Sequence, residues 1–190
     1  GDPGRRGVIS TCNYEARGFG IHSAMPSAQA KKRCPQLIIL PGNMEKYRQA
    51  SRQIHEIFQD YTDLIEPLSL DEAYLDVSAS TACRGSATLI AEEIRQRVRE
   101  TVGITISAGV APNKFIAKIA SDWKKPDGLF VVLPDAVEDF VAGLPVEKLF
   151  GVGPATAGKL HALGVQRCGD LRRYEKSELL ETMGSFGQRL

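Results

Sequence analysis

The sequence predicts an α+β domain over residues 1–132, followed by a small all-α unit over residues 133–190. Three observations predict it. Long segments with helical apolar spacing are interleaved with short strand-like runs, the pattern of helices packed on a sheet. The strand signal stops at Leu133, where Pro134-Asp135 opens a succession of short helical patterns. The composition, 43% hydrophobic and 25% charged over 190 residues, is that of an ordinary globular chain with a real core.

The elements follow in order. Residues 7–12 read as a strand, and SAMPSAQAKKRCP as a loop leading into a helix that Pro35 closes. LIILP (37–41) reads as a short buried strand. From Met44 to Tyr61, the residues Tyr47, Ala50, Ile54, Ile57, Phe58 and Tyr61 share one helical face. A hairpin over 66–78 comes next. The helix from Ser86 to Thr101 turns Ala87, Ile90, Ile94, Val98 and Thr101 inward. ITISAGVA alternates as a strand, Asn113 caps a helix carrying Phe115, Ile116, Ile119, Ala120 and Trp123, and LFVVL is a further strand. The hairpin makes the predicted sheet antiparallel-rich.

The hairpin EPLSLDEAYLDVS poses a problem of phase. Leu68 and Leu70 are even-numbered, whereas Ala73, Leu75 and Val77 are odd, and a strand cannot keep both sets on one face. A two-residue turn at Asp71-Glu72 would place Leu70 opposite Ala73 and repair the mismatch. Asp-Glu is poor turn chemistry, and adjacent like charges repel. Such a broken local rule marks either a functional site or a solvated acidic turn.

Charge is uneven. Residues 1–52 carry nine Lys/Arg against three Asp/Glu, an excess of six, so with the whole chain at +1 the remainder is −5. A basic first quarter and an acidic hairpin suit an anionic ligand held together with cations, or reflect chance asymmetry. Cys12, Cys34, Cys83 and Cys168 form no CxxC pair, which argues against disulfides or a zinc site and for a reducing, cytoplasmic compartment. His22, His55 and His161 are scattered and suit surface or packing roles. No apolar run is long enough to cross a bilayer, and no signal-peptide pattern opens the chain; no membrane partner is expected.

Adjacent carboxylates suit Mg²⁺, a hard cation that takes one or two protein carboxylates and completes its shell with water and phosphate. By itself the DE pair is a weak signal. In its context, SLDEAYLDVS resembles the palm motif of the Y-family (translesion) DNA polymerases. RGVISTCNYEARGFGIHSAMP resembles that family's fingers motif, SAGVAPNKFIAKIASDWKKPDG its second palm motif, and KLFGVGPATAGKLHALGV its thumb helix-hairpin-helix. The motifs stand in the family's order and cover nearly the whole chain, most like the bacterial DNA polymerase IV (DinB) branch.

The resemblance implies fingers over 1–43, a catalytic palm over 44–132 and a helix-hairpin-helix thumb over 133–190. It implies a template-directed, low-fidelity polymerase in DNA damage tolerance, joining a dNTP to a primer 3′-OH with two Mg²⁺ ions. Asp71 matches a metal ligand, and Glu72 the acid beside the attacking oxygen, itself metal-binding. Thr11, Tyr14, Arg17 and Lys125 match the groups that grip the triphosphate. Arg offers a planar fork for phosphate oxygens, Lys a point charge and Tyr a hydroxyl donor. Gly18, Gly20, Ser23 and Ala24 permit close backbone approach to the nucleotide. Gly151, Gly153 and Lys159 match the thumb's grip on a DNA phosphate.

The implied partners are primer-template DNA, a dNTP and a sliding clamp bound through a C-terminal tail, with a monomer as the working form. The family also carries a DxDxFF-like strand with another metal-binding Asp. That motif would precede residue 1, and neither Asp2 nor Asp76 replaces it convincingly. The expectation is an internal fragment, inactive alone. Two alternatives stay open: a non-catalytic DNA-binding relative, against which the retained acid pair argues, and a palm-type nucleotide cyclase, against which the helix-hairpin-helix argues.

Overall fold

The computed structural model describes residues 4, 6–149 and 151–189, excepting the side chains of 188 and 189. It divides into two compact units, Gly1–Tyr47 and Arg48–Leu190.

In the first unit, Asn13 caps a short helix, α1 (Tyr14–Gly18), and a second helix, α2, spans Ser27–Arg33. Ile9, Ala16, Ile21, Met25, Ala30 and Cys34 form its core. The predicted strand at 7–12 is reduced to one antiparallel bridge, Val8↔Pro26, flanked by Ile9 N–H donating to the Met25 carbonyl at 2.9 Å. Its partner segment cannot extend the ladder. Ala24 lies at φ 66°, and Ser27 already begins α2. The predicted buried strand at 37–41 is also corrected. Leu37 and Ile39 pack on the core, but Ile38 and Leu40 are 80% and 78% exposed, and no ladder forms there among the described residues. The alternation of an extended chain is present; a hydrogen-bonding neighbour is not.

The second unit contains α3 (Met44–Gln59, which begins before the division), α4 (Ala87–Thr101), α5 (Lys114–Trp123), α6 (Val137–Gly143), α7 (Pro154–Ala162) and α8 (Lys176–Met183). Its strands form two small ladders. β1 (Ile65–Pro67) pairs antiparallel with β2 (Ala73–Leu75), and β3 (Ala108–Val110) pairs parallel with β4 (Leu129–Val131), with α5 as the crossover. The class is α+β, with a helical C-terminal region.

Local signals explain the helices. Asn113 accepts from Ile116 N–H at 3.0 Å and caps α5 as the sequence suggests, and Ser86, read as the first residue of its helix, is instead the N-cap of α4, accepting from Leu89 N–H. Ile90, Ile94 and Val98 are buried against Ile57 and Tyr61. Thr101 is not inward as predicted: it is exposed, and its hydroxyl donates to the Arg97 carbonyl. The strand predicted from Ile104 begins only at Ala108, and Ile104 is 46% exposed. β4 pairs only with residues 108–110, which sets the ladder's length.

Helix α5 lies directly on β3. A Cβ built on Gly109 would sit 2.1 Å from the Ala117 carbonyl oxygen, so no other residue fits without displacing backbone. Ile116 and Ala120 pack with Val132, while Ile119 joins Leu144, Val146, Leu160 and Val165 in the helical region's core. Trp123, Phe130 and Phe140 add a ring cluster with centroids 5.3–5.7 Å apart. The helix is thereby fixed on two sides.

Candidate active site

The hairpin does not turn at Asp71-Glu72. Pro67 pairs with Ala73, so Leu68–Glu72 form a five-residue loop in which Leu68 N–H donates to the Glu72 carbonyl at 2.8 Å. The phase conflict is resolved differently from the prediction. Leu68 and Leu70 simply leave the strand, at 46% and 42% exposure. Asp71 stands exposed in the loop, its Oδ1 accepting from the Ser69 hydroxyl at 2.7 Å. Glu72 is the last residue before β2.

The side chain of Glu72 is engaged by α5. Lys118 Nζ donates to Glu72 Oε2 at 2.9 Å, and one turn earlier Lys114 pairs with Glu66 on β1. Lys114 also lies 5.8 Å from the Tyr74 ring centroid. The hydrogen bond that Lys118 donates to Glu72 holds its ammonium above the usual lysine range, against the opposing pull of burial. Glu72 and Lys118 also line a cleft of about 230 Å³ whose other walls come from β2, α4, β3 and α5.

Lys125 follows α5, its Nζ 2.5 Å from Asp122 Oδ1. The loop that carries it is tied down by Asp127, which accepts from Arg95 at 3.0 Å and Arg99 at 2.5 Å. Burial raises the Asp127 carboxyl, but the two arginine hydrogen bonds outweigh that and hold it below the usual aspartate range. Asp127 has φ 48°, a conformation an Asp adopts more readily than most residues.

In the first unit, Tyr14 and Arg17 occupy adjacent turns of α1, with the guanidinium carbon 5.7 Å from the ring centroid. Thr11 lies two residues before the cap, and all three are exposed. Gly20 is left-handed at φ 71°, and the Arg33 guanidinium donates to its carbonyl at 2.5 Å.

In the helical region, Gly151 is left-handed at φ 90°, which admits glycine without strain. Gly153 is the N-cap of α7, with Pro154 in the first turn. Lys159 is exposed while its neighbour Leu160 is fully buried. The first-turn N–H groups of a helix lack partners within it, a feature an anion can use, although Pro154 itself supplies no N–H here.

Among the described residues, no group of three or more His, Cys, Asp or Glu could hold a metal ion. The donor set at the loop is two hard carboxylates, which fits Mg²⁺ completed by water and substrate phosphate and fits a softer metal poorly. Asp76 is committed elsewhere. Its hydrogen bonds from Ser78 keep its carboxyl below the usual range. Asp2 lies outside the described residues. Sequence reasoning missed Lys114, Lys118, Arg95 and Arg99. The signal available for the first two was their four-residue spacing on the polar face of α5.

Comparison with known proteins agrees with the motif resemblance. A family model described as the impB/mucB/samB family matches residues 1–122, and one described as the IMS family HHH motif matches residues 134–165. A DNA polymerase IV of Ralstonia nicotianae is 68% identical over the whole chain, which covers 53% of that relative. The one from Pseudomonas fluorescens is 63% identical, with 54% covered. The chain thus spans about half the length of the curated relatives it matches. Among solved structures, DinB from Sulfolobus solfataricus superposes with a TM-score of 0.87 at 36% identity, over 94% of this chain and 53% of that one. An insertion ternary complex of Dbh DNA polymerase gives the same score and identity, over 94% and 52%. No helix among the described residues is long and apolar enough to cross a membrane.

Proposed function

The chain belongs to the impB/mucB/samB family, and on that premise we propose that it supplies the nucleotide-adding and DNA-holding parts of a translesion DNA polymerase. In the reaction, a primer 3′-oxygen bonds to the α-phosphorus of a dNTP, the bond to the β-phosphate bridge breaks, and pyrophosphate leaves. The observation that carries this reading is the pair of carboxylates, Asp71 and Glu72, carried by the loop of the β1–β2 hairpin.

In this reading residues 1–43 are fingers, 44–132 palm and 133–190 thumb. Asp71 would hold Mg²⁺, and Glu72 would be the acid nearest the attacking oxygen and a second contributor to the ion site. Bound there, Mg²⁺ supplies charge for the phosphate oxygens and lowers the pKa of the attacking hydroxyl. Thr11, Tyr14 and Arg17 hold the triphosphate through hydroxyl and guanidinium donors. Lys125 reaches it by exchanging Asp122 for phosphate. Gly151, Gly153 and Lys159 hold a DNA phosphate without reading sequence. A sliding clamp as protein partner and a monomeric working form belong to the same reading. So does a cytoplasmic setting, with which four free thiols agree.

The test is single-nucleotide addition by the full-length protein. Asp71→Asn and Glu72→Gln each lower the rate by about a thousandfold or more, the scale of removing a metal-centred charge contact. Duplex affinity stays within about threefold of the parent, because neither acid binds duplex in this reading. Normal extension by either variant refutes the assignment.

A further inference from the structure

The Lys118–Glu72 pair joins a fixed group to an adjustable one. Lys118 projects from α5, which is locked by buried Ile116, Ile119 and Ala120 and by the close approach at Gly109. Glu72 ends a five-residue loop whose backbone is held by the Leu68 and Ser69 N–H groups, and its carboxylate is held by Lys118. The Lys118 side chain is 25% exposed, against 60% for Lys114 in the neighbouring pair with Glu66. The Lys118 pair is therefore the less screened of the two and acts at the loop. The Lys114 pair acts on the strand behind it.

We propose that Lys118 is a positioning residue for Glu72: its ammonium aims the carboxylate and keeps its place until a divalent cation takes over the charge. This rests on the reading of Glu72 as the acid of a nucleotide-adding site. An exposed surface pair contributes little to stability, so the function of this one is orientation. A rigid helix supplies the orientation, and the loop supplies the group that must meet the substrate. The ammonium and the incoming cation draw on the same negative charge, so they compete. Lys114 and Glu66 use the same geometry away from the loop and give an internal control.

The test uses Mn²⁺ binding to the full-length protein, read from the free-ion electron paramagnetic resonance signal, alongside single-nucleotide kinetics. Lys118→Met binds Mn²⁺ roughly tenfold tighter, because a positive charge beside Glu72 is gone. Lys118→Arg and the control Lys114→Met bind as the parent does. In a Glu72→Gln background, Lys118→Met leaves Mn²⁺ affinity unchanged, since the effect passes through that carboxylate. In kinetics, Lys118→Met lowers kcat by about tenfold or more with KM for dNTP within about twofold, the signature of lost alignment. If Lys118→Met does not fold, Lys118→Gln carries the same expectations. Unchanged Mn²⁺ affinity in the neutral variant, or a shift that persists without Glu72, overturns the proposal. Normal primer extension by Glu72→Gln overturns the underlying reading instead, an outcome that the Mn²⁺ cycle does not produce.

Discussion

At the β1–β2 hairpin the groups proposed to bear chemistry are charged side chains on a loop, one of them bonded by a lysine 46 residues away in sequence. At the turn before α7 the proposed groups are backbone amides, in a turn shaped by Gly151 at φ 90° and the N-cap Gly153. The hairpin loop is exposed and its leucines are less than half exposed, whereas the helix behind the α7 turn buries Leu160 and Ala157 completely or nearly so. The contrast fits the two proposed tasks. Charge developing on a reacting phosphate calls for movable ions and carboxylates. A passive grip on a DNA phosphate needs only N–H groups held in a stiff turn.

The comparison can be broken or sharpened by variants ordered by effect. The loss of about a thousandfold expected from Asp71→Asn or Glu72→Gln is the largest, and it spares duplex binding. Next comes Arg17→Ala. Removing a guanidinium fork from a triphosphate raises KM for dNTP by about ten- to a hundredfold in steady-state extension, with duplex affinity unchanged. A variant that lost duplex affinity and kept its KM would move Arg17 to the DNA side.

Lys159→Ala produces the reverse pattern. Duplex affinity falls only a few-fold, and the slope of log K against log salt decreases by about one, measured by fluorescence anisotropy over a salt series. KM for dNTP stays constant. The smallest expected effect is a pH response in the helical region. The N–H groups of Arg167 and Gln166 donate to Asp170 and hold its carboxyl below the usual range. A depressed folded pKa gives stability that is complete above the unfolded value, about 3.9, and lost as pH falls through the folded one. Thermal midpoints measured from pH 5 to pH 3 therefore fall less steeply in Asp170→Asn than in the parent.

What could be read from sequence divides along the range of the interactions. Helices α4 and α5 were legible because their apolar residues recur at helical spacing, and the cap at Asn113 was legible because it bonds to an N–H group three residues on. Strands were legible only in part. The 66–78 hairpin and LFVVL appear as β1–β2 and β4, but residues 7–12, 37–41 and 104–107 also read as strand, and pairing depends on a distant neighbour that 7–12 meets in a single bridge and 37–41 and 104–107 do not meet. The acid pair could be seen as anomalous, yet its turn was misread because the exposed Leu68 and Leu70 were counted as strand residues. The candidate roles of Thr11, Tyr14, Arg17 and Lys125 came from motif resemblance, since a surface arginine or lysine carries no local mark of its ligand. The contacts of Lys118 with Glu72, and of Arg95 with Asp127, span 46 and 32 residues and have no local signature.

The central claim is that the carboxylates of the hairpin loop hold a divalent cation against the nucleotide's phosphates. Crystals of the full-length protein with primer-template and dNTP, grown with Mn²⁺ in place of Mg²⁺, test it through the anomalous signal of the metal. The account predicts a peak at bonding distance, about 2.0–2.2 Å, from an Asp71 oxygen and from triphosphate oxygens. A metal bound to the triphosphate with both Asp71 and Glu72 turned to solvent would contradict it.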